Sequence, residues 1–475
     1  MTSTLGMRRD TGQRTRFRLP QLAAIAVFGL VAMSGCTVYH AQPLTGPDTE
    51  ASLESPDRAQ LAQDAQQLRH PRIQPLKLDF TRPLTGEEVE VIAVLANPDL
   101  RALRTQQGVA QAQVFASGLL PDPQISLGYD KLLSPVNQGF SDAYAGSVTL
   151  DLLGALATRP LERQAATATA EQLRNDIAWQ EWTTAGQARL LAVRLFYQRQ
   201  VSELAGQAAE LAGHALQRAL AAAQAGDLAA DDIELRRVAA SEATERALST
   251  ARDAQGTRLD LNQILGLQPQ EMLSLADPPP VQPWKHLSAD ALFVTARAER
   301  LDLAALAQGY ASQEASTHRA VLGQYPRLGI TINRASDTSA VHTLGPAVTF
   351  DLPLWNRNRG SIATARADRT RLRAEFAARL HQTRAEIADL IDTLDHDEQA
   401  HMALAAQLPG IEQVADRLAT AASRRDVPQP VAEAARSTAL DKRITLLGLE
   451  QSCAEERIAL TLAIGSPVAD VLEGP

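Results

Sequence analysis

Long apolar runs are missing from this chain of 475 residues. None reaches the roughly 18 residues that a membrane-spanning helix needs, which argues against a helical membrane protein. Cysteine is scarce: two residues make neither a disulfide framework nor a zinc-ribbon pattern. Positive charge is also short, with 46 Lys and Arg against 55 Asp and Glu and a net charge of −9. A nucleic-acid partner is therefore not expected, because it would ask for a basic face. Zinc-protease, P-loop and nucleophile-elbow signatures are missing, so neither an enzyme nor a resident cofactor or metal is expected. Aromatic residues are only 4%. Alanine dominates instead, and an Ala-, Leu-, Glu- and Arg-rich chain favours long helices packed closely.

Residues 1–35 read as a secretory signal. Arg8, Arg9, Arg14, Arg16 and Arg18 give a basic start, and Leu22 to Met33 is apolar but short for a bilayer span. Met33-Ser34-Gly35-Cys36 then resembles the bacterial lipobox, which implies cleavage before Cys36 and lipidation of that residue. Thr37 rather than Asp follows, which by the same resemblance favours the outer membrane. The other cysteine, Cys453, lies in a helical pattern and is expected to be a buried, inert thiol.

The chain repeats itself at a period of about 200 residues. Leu84-Thr85-Gly86-Glu87 matches Leu287-Ser288-Ala289-Asp290, and Asp99-Leu100 matches Asp302-Leu303. Val148-Thr149-Leu150-Asp151-Leu152 matches Val348-Thr349-Phe350-Asp351-Leu352, and Leu265-Gly266 matches Ile464-Gly465. The organisation expected is a signal over 1–35, an extended surface segment over 36–83, repeat 1 over 84–277, a Pro-rich linker over 278–286, repeat 2 over 287–466 and a tail over 467–475. Each repeat reads as a helix of about 35 residues, two strands, a very long helix and a shorter one. The first helices are expected over Leu84–Gly118 and 288–321, the first with Thr85 as its cap. The long helices are expected over Gly154–Gly226 and Gly360–Arg424, and the shorter ones over Ala229–Leu265 and 430–464. Two short helices end to end match one long antiparallel helix in length.

The strands alternate strictly. Ile125, Leu127 and Tyr129 oppose Gln124, Ser126, Gly128 and Asp130; Tyr144, Val148 and Leu150 oppose Ala145, Ser147, Thr149 and Asp151. Leu328, Ile330 and Ile332 oppose Thr331 and Asn333, while Leu344, Val348 and Phe350 oppose Thr349 and Asp351. One apolar and one wet face suits a membrane barrel as well as a soluble two-sided sheet. Four strands cannot close a barrel, whose minimum is about eight. Open edges in lipid would leave backbone groups unpaired, so a cyclic homotrimer with twelve strands is expected.

With these features the chain resembles the TolC-like outer-membrane efflux channel family. The resemblance rests on Asn97-Pro98-Asp99-Leu100, on Gly118 to Pro123, on Asp351 to Gly360, and on their order within the repeat. Pro353 to Gly360 is similar to heavy-metal exporters of the resistance–nodulation–division type. The resemblance implies a mainly α fold with a helical tunnel through the periplasm and a twelve-stranded trimeric barrel in outer-membrane lipid. It also implies a passive duct, docked to a periplasmic adaptor and an inner-membrane pump. The adaptor-docking tips would be Gly226-Asp227-Leu228-Ala229 and Arg425-Asp426-Val427-Pro428, with Leu228 and Val427 as exposed apolar contacts and the aspartates as helix caps. Glu433 would ring the periplasmic entrance, and Asp130, Asp151, Asp351, Thr331 and Asn333 would line the pore. His396-Asp397-Glu398 with His401 reads as an interfacial polar group rather than a metal site. The rival readings are a periplasmic adaptor or a coiled-coil scaffold without its own pore. A single hairpin flanked by Gly-rich β domains would mark an adaptor, and the duplicated strand pairs argue against both rivals.

Overall fold

The computed structural model describes residues 38–133, 140–280 and 288–467. Cys36 and the signal segment lie outside the described residues. The chain divides at Glu54 into two units. Among the described residues the first holds one short helix, α1 (Gly46–Ala51), with no buried residue. The second holds α2 (Arg58–Gln66), α3 (Gly86–Ala96), α4 (Pro98–Ser117), β1 (Gln124–Asp130), β2 (Ala143–Leu150), α5 (Leu152–Gln224) and α6 (Ala230–Ile264). It continues with α7 (Ala289–Glu299), α8 (Leu301–Leu322), β3 (Arg327–Ser336), β4 (His342–Asp351), α9 (Arg359–Ser423) and α10 (Gln429–Ile464). The order helix, helix, strand, strand, long helix, helix thus occurs twice.

Helix α5 has 73 residues and at 1.5 Å per residue runs for about 110 Å. It packs along α6 and α8, while α9, with 65 residues, packs along α10 and α8. In each repeat the long helix packs along the shorter helices of its own half, α3, α4 and α6 against α5 and α7, α8 and α10 against α9, and α5 also meets α8 across the repeats.

The first helix of each repeat is not continuous. Asn97 ends α3 and caps α4, its Oδ1 accepting from Leu100 N at 2.9 Å, with Pro98 preset for the first turn. Arg300 breaks the second pair with an extended backbone. Each break receives the end of another helix. Asn97 Nδ2 donates to Ile264 O at 2.9 Å, closing α6 onto the α3–α4 joint. Arg300 Nη1 donates to Ala463 O at 2.8 Å, closing α10 onto the α7–α8 joint. Beyond these ends, Gly266 (φ +64°) and Gly465 (φ +79°) turn the chain in the left-handed region. A Cβ on Gly266 would stand 2.6 Å from Ala96 O, so glycine is needed for space as well as for φ.

The core sits around these joints. Val89, Ile92, Trp182, Leu195, Leu261 and Leu265 form its larger part, and Leu292, Ile387, Leu460 and Ile464 a smaller one in the second half. Thr85 caps α3 in a capping box with Glu88, as expected. The segment before it departs from the expected extended surface run. Helix α2 and the stretch after it bury Leu61, Ala65, Ile73 and Leu78 in the larger core. His70 and Arg72 fix the path. His70 Nε2 donates to Ala178 O of α5 at 3.0 Å, and His70 Nδ1 accepts from Arg72 N and Ile73 N. Arg72 Nη2 reaches Glu299 O at 2.8 Å. The segment is a strap from the first repeat to the second.

The four strands form one antiparallel sheet in the order β1-β2-β3-β4. The β2–β3 pairing joins the repeats, and β1 and β4 are its edges.

Candidate functional site

The sheet's register aligns the alternating faces of both repeats. Ile125, Val148, Ile332 and Pro346 form one row, and Leu150, Ile330 and Val348 another, on the same face. Leu328 and Phe350 extend that face toward the helices. Tyr129 and Tyr144 pair at the opposite end, with ring centroids 5.5 Å apart. Apart from half-buried Leu150 these side chains are exposed; Leu127, on the same face, is 85% and Ile330 40% accessible. Beyond β4, Trp355 stands 95% exposed beside exposed Leu354. An apolar band bounded by aromatic residues at both ends matches the lipid-facing surface of a membrane barrel.

The other face is polar. Ser147, Asn333 and Gly345 form one row, and Thr149, Thr331 and Ala347 the next. Asn333 is exposed, as expected for a wet face. Thr331 is not: it is 7% exposed, and its hydroxyl lies 3.0 Å from that of Thr149. It stiffens the seam between the repeats rather than lining open space. Asp130 ends β1 and is exposed, and Asp151, also exposed, is the residue before α5. Asp351 pairs through its backbone with Arg327.

The helical tips are at the far end of α5 and α9. Both close by one motif: Asp227 N donates to Ala222 O at 3.0 Å, and Asp426 N to Ala421 O at 2.9 Å. Gly226 (φ +85°) and Arg425 (φ +66°) take the left-handed position. The aspartates therefore follow the long helices in their closing motifs instead of capping the next ones, whose caps are Ala229 and Pro428. Leu228 and Val427 are half-buried against expectation, while Leu235, Val238 and Val431 carry the exposed apolar surface near the tips.

Glu433 is 8% exposed and sits between Arg218 of α5, which hydrogen-bonds it, and Arg236 of α6 at 3.5 Å. Its charge is balanced within the chain, so ion pairs replace the expected open carboxylate. Neither arginine was singled out in the sequence, because nothing local marks a partner more than 190 residues away. Farther up, Glu398 pairs with Arg457, and His401 Nε2 lies 3.7 Å from Glu450. Glu456 faces Asp397; burial first, then this carboxylate, pushes its pKa up to about 7. Cys453 is fully buried, and burial pushes its thiol up to about 12. The inert reading of that thiol fits both facts.

A sheet with one apolar and one polar face thus continues into long antiparallel helices. No protein-family profile and no curated protein matches the chain. Solved structures do. The outer-membrane channel OprN superposes with a TM-score of 0.67 at 15% identity, covering 91% of this chain and 99% of that one. The outer-membrane channel CmeC of Campylobacter jejuni gives 0.66 at 14%, over 80% and 85%. CusC, whose structures follow folding and transmembrane channel formation, gives 0.63 at 14%, over 84% and 98%. At such identities the likeness is one of fold, and this chain has that fold.

Proposed function

We propose that the chain is the outer-membrane channel of a tripartite efflux system. Three copies supply twelve strands, enough to pair every edge of the four-stranded sheet and close a barrel. The carrying observation is the exposed apolar face with open edges at β1 and β4, which in water would invite aggregation. The long helices continue the barrel as a tunnel in the periplasm. The duct is passive: substrates move through it under the drive of an inner-membrane pump, joined by a periplasmic adaptor at the tips around Asp227 and Asp426. Asp130, Asp151, Asp351 and Asn333 give the lumen polar groups, and Cys36 carries a lipid. Glu433, through Arg218 and Arg236, holds α10 against α5 and α6 near the entrance.

The test is direct. Outer-membrane extract should yield a heat-resistant trimer that conducts in a planar bilayer. A monomer in the periplasmic fraction without conductance overturns the proposal in favour of an adaptor or scaffold. Glu433→Gln should raise conductance at unchanged trimer yield; equal conductance would leave Glu433 as a packing contact only. Cys36→Ala should accumulate unprocessed precursor, and normal processing would remove the anchor.

A further inference from the structure

Among the described residues, an arginine stands on the apolar face of the sheet. The register places Arg334 in a row with Leu127, Gly146 and Leu344. Its strand, β3, is an inner strand, so its row neighbours are a glycine on β2 and a leucine on β4. Neither can pair a guanidinium. A second copy would add at the edges, with β4 between it and Arg334. Arg334 is exposed and makes no ion pair or side-chain hydrogen bond among the described residues.

The next row toward the strand tips is Tyr129, Tyr144, Ser336 and His342. Two residues along a strand span about 6.6 Å, a distance an extended arginine side chain covers. The guanidinium can therefore reach the level of this row, with exposed His342 and Lys131 nearby along the rim. The described carboxylates at this end are occupied or face elsewhere. Asp142 accepts from Tyr129 Oη at 2.5 Å and from Leu132 N at 3.0 Å. Asp337 accepts from Ser339 N and Val341 N, both at 2.9 Å. Asp130 shares the polar face with Ser126. A positive charge at the upper border of a lipid-facing band, with no ion pair among the described residues, is open to an anion from outside.

We propose that Arg334, with Tyr144 and His342 in the row above it, binds the phosphate of an anionic lipid headgroup in the outer leaflet. The inference rests on the barrel reading, because the tips of β1–β2 and β3–β4 face outward only if the helices are periplasmic. Arginine suits the role: it is always charged and its planar fork grips phosphate oxygens in pairs. Aromatic residues at the same level hold the depth of the barrel.

The experiment uses purified trimer in phosphatidylcholine vesicles with and without phosphatidylglycerol, with retained lipid counted by native mass spectrometry. The parent should retain phosphatidylglycerol over phosphatidylcholine. Arg334→Gln should lower that preference about fivefold, the share one arginine contributes at an anionic membrane surface, and Arg334→Lys should keep part of it. Equal retention by parent and Arg334→Gln, at equal trimer yield, overturns the site. Inorganic phosphate in detergent separates a free anion from a lipid. If it raises the parent's thermal midpoint while phosphatidylglycerol is not enriched, the lipid assignment is wrong. A parent that forms no trimer and does not insert removes the barrel reading, and the lipid site falls with it.

Discussion

At the scale of single residues, two partly buried titratable groups pull stability in opposite directions with pH. His70 is held neutral: burial lowers its pKa from 6.5, and its Nδ1 already accepts two backbone N–H groups. The unfolded chain takes up the proton first as pH falls, so stability is lost from about pH 6.5 down to the folded value, by at most about 1.4 kcal/mol per pH unit. Glu456 is the reverse. Its pKa is raised from 4.5 to about 7, so its folded form favours the proton and stability is lost as pH rises through that window. Thermal unfolding against pH should separate them. His70→Gln should flatten the acid limb, and Glu456→Gln should stabilise by about 1–2 kcal/mol above pH 7 and less toward pH 4.5. Parallel curves for either variant and the parent would remove that group from the account. The tips give a second residue-scale prediction. Arg425 occupies the left-handed conformation that Gly226 takes at the equivalent turn. Arg425→Gly should therefore stabilise, and Gly226→Ala destabilise, each by roughly 0.5–1 kcal/mol in denaturant unfolding.

Elements were legible where their own periodicity decides them. Strand β1 was read to the residue, and the long helices to within two residues, because alternation and helical composition are local signals. The breaks at Asn97 and Arg300 were not read. The first had a usable signal, an Asn before a Pro, which starts a helix as readily as it sits within one. The second has none at Arg300 itself; only the repeat places it opposite Asn97. The strap was missed because its buried residues, Leu61, Ala65, Ile73 and Leu78, follow no single period. Its anchors, Ala178 and Glu299, are distant in sequence. The Arg300 joint carries the element-scale prediction. Arg300 binds Asp302 with two hydrogen bonds, at 3.0 and 2.8 Å, and stacks on Trp179 at 4.6 Å. Both charged side chains are buried. Arg300→Ala leaves Asp302 with Arg379 at 3.3 Å and the Leu303 N–H at 2.9 Å, and frees Ala463 O. It should cost about 3 kcal/mol, while Arg300→Ala with Asp302→Ala costs less than the two single losses together. Strict additivity in that cycle would show that the pair does not act as a unit.

For the whole molecule, the faces of the sheet decide between a barrel and a soluble domain. Ile330 and Asn333 lie on the same strand, three residues apart, on opposite faces. Both are exposed in the single chain, so neither substitution is confounded by a tightly packed core. Thr331, the nearest polar-face neighbour, is unsuitable because it is buried against Thr149. In a trimeric barrel Ile330 faces hydrocarbon and Asn333 faces the lumen. Ile330→Arg then places a charge in lipid at a cost of about 2–4 kcal/mol if near the midplane, repeated in each subunit. Asn333→Arg adds a cation to water, where its solvation is retained, and should leave assembly intact while shifting ion preference toward anions. In a soluble sheet the apolar face would be the covered one, yet the polar face would meet water as before. Trimer yield alone therefore cannot separate the two readings, but conductance can. Only a barrel makes the Asn333→Arg trimer conduct with altered selectivity while Ile330→Arg fails to assemble. Equal yields for both variants, with no change in ion preference at Asn333, would mean that the faces of this sheet do not divide lipid from lumen.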